Sequence, residues 1–245
     1  IENILTNNKT VVYNKIEAIK NATNKKLSRE LFIKNNVNTP NLYTIDSEDL
    51  TYPIIARPLI HSKGKNFIIL NNYEEFSKFY DLHEDDWYYS EFIDKDREFR
   101  VHVAHNKVLA VMEKVKPNNG NIAWNRAQNE TEPFIYVSWN QLDDDKLKNV
   151  LLEAIKAVEA LELDMGGVDV MLKDDTAYVL EVNTAPTLNS SPYVAKRWGL
   201  YWNWLLSSDV RRKKWNYNKL KKSKSLMWKN FQLEIDFKID EEFEL

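Results

Sequence analysis

The run Gly166-Gly167-Val168-Asp169-Val170-Met171-Leu172, then Lys173-Asp174-Asp175-Thr176, then Ala177-Tyr178-Val179-Leu180-Glu181-Val182-Asn183 decides how this chain is read. Two apolar segments flank a polar turn, the pattern of an antiparallel hairpin. In the second strand Glu181 and Asn183 share a face, about 6.6–7 Å apart, because strand side chains alternate with a period of two. Tyr178, Leu180 and Val182 are expected on the other, buried face. With a three-residue loop, Asp174–Thr176, Asp169 stands directly opposite Glu181 and three oxygen donors converge. With a two-residue loop Asp169 stands opposite Leu180, since a one-residue slip turns every side chain over. Converging hard oxygens suit Mg²⁺, which binds phosphate oxygens through one or two protein carboxylates. The competing reading of the same spacing is a hairpin with one polar, solvated face.

The 245 residues are 43% hydrophobic and 29% charged and include eight Trp, twelve Tyr and ten Phe, enough to bury a core without covalent staples. Cysteine is absent, which excludes disulfides, a thiolate nucleophile and Cys-ligated zinc or iron–sulfur clusters. No apolar run reaches the roughly 18–20 residues of a membrane span. The first twelve residues lack a charged-then-apolar signal pattern. The expectation is therefore a cytoplasmic protein with no membrane partner. The five glycines form neither GxGxxG nor a Walker-type loop, and the four histidines, His61, His83, His102 and His105, show no metal spacing.

Working outward, residues 24–36 are expected to be helical with Leu27, Leu31 and Phe32 on one face. The helix should end before Asn38-Thr39-Pro40. Strands are expected at 53–57, 66–70, 87–93, 99–104 and 107–114, with His105-Asn106 as a hairpin turn. A helix is expected at 71–80, and the clearest one at 143–161, with Leu147, Leu151, Ala154, Val158 and Leu161 as its buried stripe. Residues 117–129 form a long polar loop of the kind that is functional or mobile. Adjacent hairpins mixed with helices argue for an α+β fold.

On these residues the sequence resembles the ATP-grasp superfamily, from about Lys25 to about Asn189. The family's signature strand pair reads G-V-D, about eleven residues, then E-V-N-x-x-P. Gly167-Val168-Asp169 and Glu181-Val182-Asn183-Thr184-Ala185-Pro186 match it closely. The resemblance implies two α+β lobes sandwiching ATP, with Asp169, Glu181 and Asn183 holding Mg²⁺ against the phosphates. Asn24-Lys25, followed by Ser28, looks like the helix-start lysine that reaches those phosphates. Pro53–Pro58 resembles the P-x-x-x-K-P strand, with Arg57 where lysine is usual; Arg keeps the charge and adds a planar fork. His61–Asn66 stands where the family has a phosphate flap, so Ser62, Lys63 and Lys65 are implied phosphate contacts.

Tyr89–Ile93 matches the adenine hinge, with Glu91 accepting from the adenine amino group and Phe92 and Ile93 giving main-chain contacts. Glu98 fits the acidic position that binds ribose hydroxyls. Glu98-Phe99-Arg100-Val101 matches the branch that includes ribosomal-protein glutamate ligases and related phage proteins. Arg100, Lys114 and Arg126 are the candidate catalytic cations; Asn121, Asn125 and Asn189 are further candidates for lining the acceptor pocket. The implied chemistry joins a small-molecule or peptide carboxylate to an amine through an acyl phosphate. A kinase working from the same residues is the alternative.

The expected divisions are a short segment at 1–23, an N-lobe at 24–93, a C-lobe at 94–206 and an extension at 207–245. Family members usually carry about a hundred residues before the lysine helix, and about twenty stand there in this sequence. The substrate site is then expected to be shaped by the last forty residues or a partner. From Arg211 to Lys229 there are nine Lys or Arg and no acid, interleaved with Trp215 and Tyr217; from Glu234 onward there are six acids and one Lys. The basic segment suits nucleic acid or an acidic partner, so a weakly catalytic scaffold binding nucleic acid is a third reading. Its rival is a solvated helical face. Trp198, Tyr201, Trp202 and Trp204 are expected to pack a terminal helix rather than cap the site. The 27 asparagines hint at a bacterial or phage genome.

Overall fold

The computed structural model describes residues 13–59, 67–114, 134–136, 145–187 and 192–206. It divides into one unit of Ile1–Val137 with Asp144–Pro186 and a second of Ser138–Asp143 with Thr187–Leu245. The first unit holds helices α1 (Ile16–Thr23) and α2 (Lys25–Lys34), strands β1 (Leu42–Tyr43), β2 (Ile54–Pro58) and β3 (Ile68–Leu70), then α3 (Tyr73–His83) and β4 (Trp87–Glu91). Strands β5 (Arg97–Ala104), β6 (Lys107–Lys114) and β7 (Phe134–Tyr136), helix α4 (Asp145–Ala160) and strands β8 (Met165–Lys173) and β9 (Thr176–Asn183) complete it. Two antiparallel sheets result, ordered β1-β4-β2-β3 and β7-β6-β5-β8-β9, which is an α+β architecture.

Local chemistry sets the helix boundaries. Asn24 caps α2 by accepting from the Leu27 amide at 3.0 Å, and Asn72 caps α3 by accepting from the Glu75 amide at 3.0 Å. The Glu75 carboxylate reaches back to the Asn71 amide at 2.8 Å, a reciprocal box that starts α3 two residues later than the expected 71. Strand β4 ends at Glu91 instead of Ile93, because the Ile93 carbonyl turns to accept from the Lys95 amide at 2.9 Å. In the β5–β6 turn, His105 and Asn106 both take positive φ, 46° and 59°, as a two-residue hairpin turn requires.

The burial of α2 differs from the periodicity expectation. Its buried residues are Ser28, Arg29 and Phe32, while Leu27 and Leu31 are only half-buried. The inward face carries two cations, Lys25 and Arg29, four residues apart and therefore on one side of the helix. Helix α4 lies on β8 and β9 with its expected stripe buried. Beneath it sit Phe99, Val101, Val168, Val170, Val179 and Val182, all buried. Between the other sheet and α3, Ile54, Ala56, Leu70 and Tyr89 pack with Phe76 and Tyr80 as a second core. Asn14 ties the chain ahead of α1 to the larger sheet, its side chain exchanging hydrogen bonds with the Met165 backbone at 2.9 and 3.0 Å.

The second unit's described helix, α5 (Pro192–Leu206), buries Trp198 and Tyr201, whose rings meet edge to face at 5.6 Å. Trp202 stacks on Trp198 at 6.2 Å. The expected polar loop at 117–129 and extension at 207–245 lie outside the described residues. Among the described residues no helix is long and apolar enough to cross a membrane.

His102 on β5 is fully buried, and burial, with the nearby Arg100 guanidinium, pushes its imidazole down to about 4. The folded state therefore holds it neutral, whereas the unfolded chain protonates it near 6.5. Its contribution is present above about pH 6.5 and lost as pH falls toward 4, about 3 kcal/mol over the window. Urea unfolding at about pH 4.5 and about pH 7.5 is expected to show a smaller stability difference for His102→Gln than for the wild type.

Candidate active site

The hairpin from Gly166 to Asn183 has a two-residue turn, Asp174-Asp175, closed by Lys173 facing Thr176. Asp174 adopts φ 52°, as such a turn demands. Of the two loop lengths the sequence allowed, the two-residue one is found, and a regular ladder from this turn would put Asp169 opposite Leu180. It does not. Pairing runs regularly to Val170 facing Val179; then a β-bulge leaves Leu180 over, and Asp169 faces Glu181, Val168 faces Val182 and Gly167 faces Asn183. The bulge flips the alternation, so the buried residues of β9 are Ala177 and Val179 below it and Val182 above it. Tyr178 and Leu180, expected to be buried, are half-exposed.

Asp169, Glu181 and Asn183 thus share the sheet face opposite α4. Arg100 of β5 is Asp169's cross-strand partner on the other side, and its Nε and Nη2 donate to the two carboxylate oxygens, Nη2 at 2.7 Å. Lys25, at the start of α2, pairs with Glu181 at 3.2 Å. Asn183 donates through Nδ2 to Glu181 Oε1 at 3.2 Å and to the Gly167 carbonyl at 3.4 Å, which commits its nitrogen and leaves Oδ1 as acceptor. Two residues before Arg100 on the same face, Glu98 accepts from Lys95 on one oxygen and from Lys114 at 3.5 Å on the other.

Burial raises the Asp169 carboxyl, an effect that Arg100 opposes and the Glu181 charge reinforces. Burial also pushes Glu181 and Glu98 upward, but the cations win at both: Lys25 at Glu181, Lys95 and Lys114 at Glu98, so both sit below the usual carboxylate range. Burial lowers the Lys95 ammonium despite Glu98, with Lys114 and Arg57 near enough to add to the effect. Arg57, on β2, also presses on Arg29, and its buried Nε has no hydrogen-bond partner among the described residues.

The donor set fits Mg²⁺: two carboxylates and an amide oxygen, all hard ligands, on one face beside cations. Among the described residues no group of three or more His, Cys, Asp or Glu that could hold a metal ion is found. Gly167 and Pro186 of the motif have a steric reason to be there. A Cβ at Gly167 would meet Pro186 Cβ at 2.7 Å and Arg100 Cδ at 3.3 Å. At the expected hinge, Glu91 joins Asn41 through its amide to the Asn41 carbonyl at 3.0 Å and its carboxylate to the Asn41 amide at 3.2 Å. Ile93 is buried two residues further on. Ser62, Lys63, Lys65, Asn121, Asn125, Arg126 and Asn189 lie outside the described residues, as does the basic segment 211–229.

The RimK-like ATP-grasp domain profile matches residues 22–196. The chain belongs to that family. A D-alanine–D-alanine ligase of Pediococcus pentosaceus is 25% identical over 217 residues, covering 82% of this chain and 61% of its own length. The chain thus spans less than two thirds of that curated relative. Among solved structures, the Bacillus anthracis D-alanine–D-alanine ligase complexed with ATP superposes with a TM-score of 0.60 at 19% identity, over 86% of this chain and 75% of its own. The ATP-grasp ligase PsnB, complexed with a phosphomimetic variant of its minimal precursor, Mg and ADP, gives 0.57 at 18% identity, over 80% and 63%. At these identities the likeness is one of fold, and the expected ATP-grasp architecture is the one found.

Sequence reasoning missed Lys95 and Arg29. The only signal for Lys95 is the dense charge alternation Asp94-Lys95-Asp96-Arg97-Glu98, which looks like a solvated loop. Lys95 is in fact 7% exposed. Lys95→Met leaves Glu98 with Lys114 alone, so a loss of about 1–3 kcal/mol is expected at pH 7. Because the Glu98 pKa is depressed in the fold, its contribution is present above the unfolded value and lost as pH falls. The difference between variant and wild type in urea unfolding should therefore shrink below about pH 4.5.

Proposed function

We propose that this chain is an ATP- and Mg²⁺-dependent carboxylate–amine ligase that works through an acyl phosphate. One observation carries the reading: the bulged hairpin brings Asp169, Glu181 and Asn183 onto one face, with Lys25 and Arg100 in contact with the two carboxylates. Membership of the RimK-like ATP-grasp family supports it, as do the ligases that share the fold.

In this reading Asp169, Glu181 and Asn183 would hold Mg²⁺, which would supply neutralisation of phosphate charge. Lys25 and Arg57 bind phosphate oxygens, and Arg100 and Lys114 stabilise charge on the transferring phosphoryl group. The substrate carboxylate attacks the γ-phosphorus, the bond to the β-bridging oxygen breaks, and ADP leaves. An amine then attacks the acyl carbon; phosphate departs with the bonding pair and the amine's proton goes to solvent or base. Positioning and charge neutralisation suffice for both steps, so no covalent protein nucleophile is needed. The Arg100–Asp169 and Lys25–Glu181 pairs neutralise both carboxylates within the protein itself.

The test is calorimetric titration of ATP with Mg²⁺ into the wild type and into Glu181→Ala/Asn183→Ala, followed by ADP release with pools of carboxylates and amines. Binding by the wild type that weakens at least about tenfold in the double variant, with phosphate set free during turnover, is expected. Phosphate retained on an acceptor would make the chain a kinase, and a wild type that binds no nucleotide would overturn the reading.

A further inference from the structure

The β-bulge that aligns the site has to be held where it is. A bulge leaves its extra residue outside the ladder, so the chain has other ways to pair β8 with β9. Apolar patterning restricts them, because Val179 and Val182 both belong under α4. If the bulge migrates past Glu181 toward Asn183, Asp169 faces Leu180 and the Glu181 carboxylate turns over to the apolar side.

Strand β9 is the edge of its sheet, and the chain after α2 covers that edge. The Val179 amide donates to the Asn38 carbonyl at 2.8 Å, and Thr39 Oγ1 donates to the Val179 carbonyl at 2.9 Å. Arg29 is 2% exposed; its Nη1 donates to the Pro40 carbonyl at 3.1 Å and its Nη2 to the Leu180 carbonyl at 3.4 Å. The carbonyl it reaches on β9 belongs to the one residue that the ladder leaves over. One turn earlier on the same helix, Lys25 meets Glu181.

We propose that Arg29 is a positioning residue for the metal site: its guanidinium pins the bulge at Leu180, and so fixes the register that sets Asp169 opposite Glu181. The functional consequence rests on the Mg²⁺–ATP reading, while the register is a property of the protein alone. Only a fork reaches both carbonyls at once, so Arg29→Lys should keep the charge and lose half the clamp.

The experiment compares four proteins: wild type, Arg29→Met, a variant with Leu180 deleted, and the deletion combined with Arg29→Met. Deleting Leu180 removes the bulge yet leaves Glu181 opposite Asp169, because the two-residue turn and a regular ladder then suffice. Two readouts are taken: the ratio of ATP dissociation constants in EDTA and in Mg²⁺, and the cross-strand nuclear Overhauser effect between residues 169 and 181. In Arg29→Met the ratio is expected to fall about tenfold toward one, and an Overhauser effect between Asp169 and Leu180 to replace the one between Asp169 and Glu181. In the deletion background Arg29→Met is expected to change neither readout. An Arg29→Met protein that keeps both the ratio and the wild-type Overhauser effect overturns the proposal. So does an Arg29→Met change that destroys folding equally with and without Leu180, since Arg29 would then serve the fold and not the register. A wild type with no Mg²⁺ dependence would sink the nucleotide reading alone, and the Overhauser effects would still decide the role of Arg29.

Discussion

Strand β9 carries one residue more than its pairing with β8 can use, and the candidate site depends on where that residue goes. Leu180 drops out of the ladder and the side-chain alternation inverts there. Below it, Ala177 and Val179 can face the core; above it, Glu181 and Asn183 can face the site while Val182 returns to the core. A hairpin closed by a tight two-residue turn could not otherwise satisfy both demands. The covering segment 38–40, with Arg29 behind it, also shields an edge strand whose free amides and carbonyls would invite pairing with another chain.

Charge is the second constraint. Three carboxylates, Glu98, Asp169 and Glu181, stand among five cations: Lys25, Arg57, Lys95, Arg100 and Lys114. In so buried a place the excess of positive charge is costly unless an anion joins it. A polyphosphate carrying one divalent cation has the complementary sign. Each carboxylate is already matched to a cation, so the side chains are ordered before any ligand arrives. Such ordering lowers the reorganisation that binding must overcome.

Much of this was legible in the sequence. The turn residues His105-Asn106 and the α4 stripe announce their elements because each depends on local chemistry. The motif residues Gly167, Asp169, Glu181, Asn183 and Pro186 marked a cluster, and the hairpin and the chain just after it do bring them together. Register was not legible: the sequence allowed a three- or a two-residue turn, and a bulge leaves no composition signal at Leu180. The face of α2 was misjudged because Arg29 is buried by carbonyls from distant segments, Pro40 and Leu180, which no helical periodicity reveals. Lys95 escaped for a similar reason, its burial depending on how the chain between β4 and β5 folds back against Glu98.

The most direct test of this picture is a paramagnetic one, with Mn²⁺–ATP added to isotope-labelled protein and amide broadening followed residue by residue. Broadening centred on Asp169, Glu181 and Asn183, extending to Lys25 and removed by excess Mg²⁺–ATP, is the expected result. Broadening centred elsewhere, or none at nucleotide concentrations that saturate related ligases, would contradict the assignment of the bulged hairpin as the metal–nucleotide site.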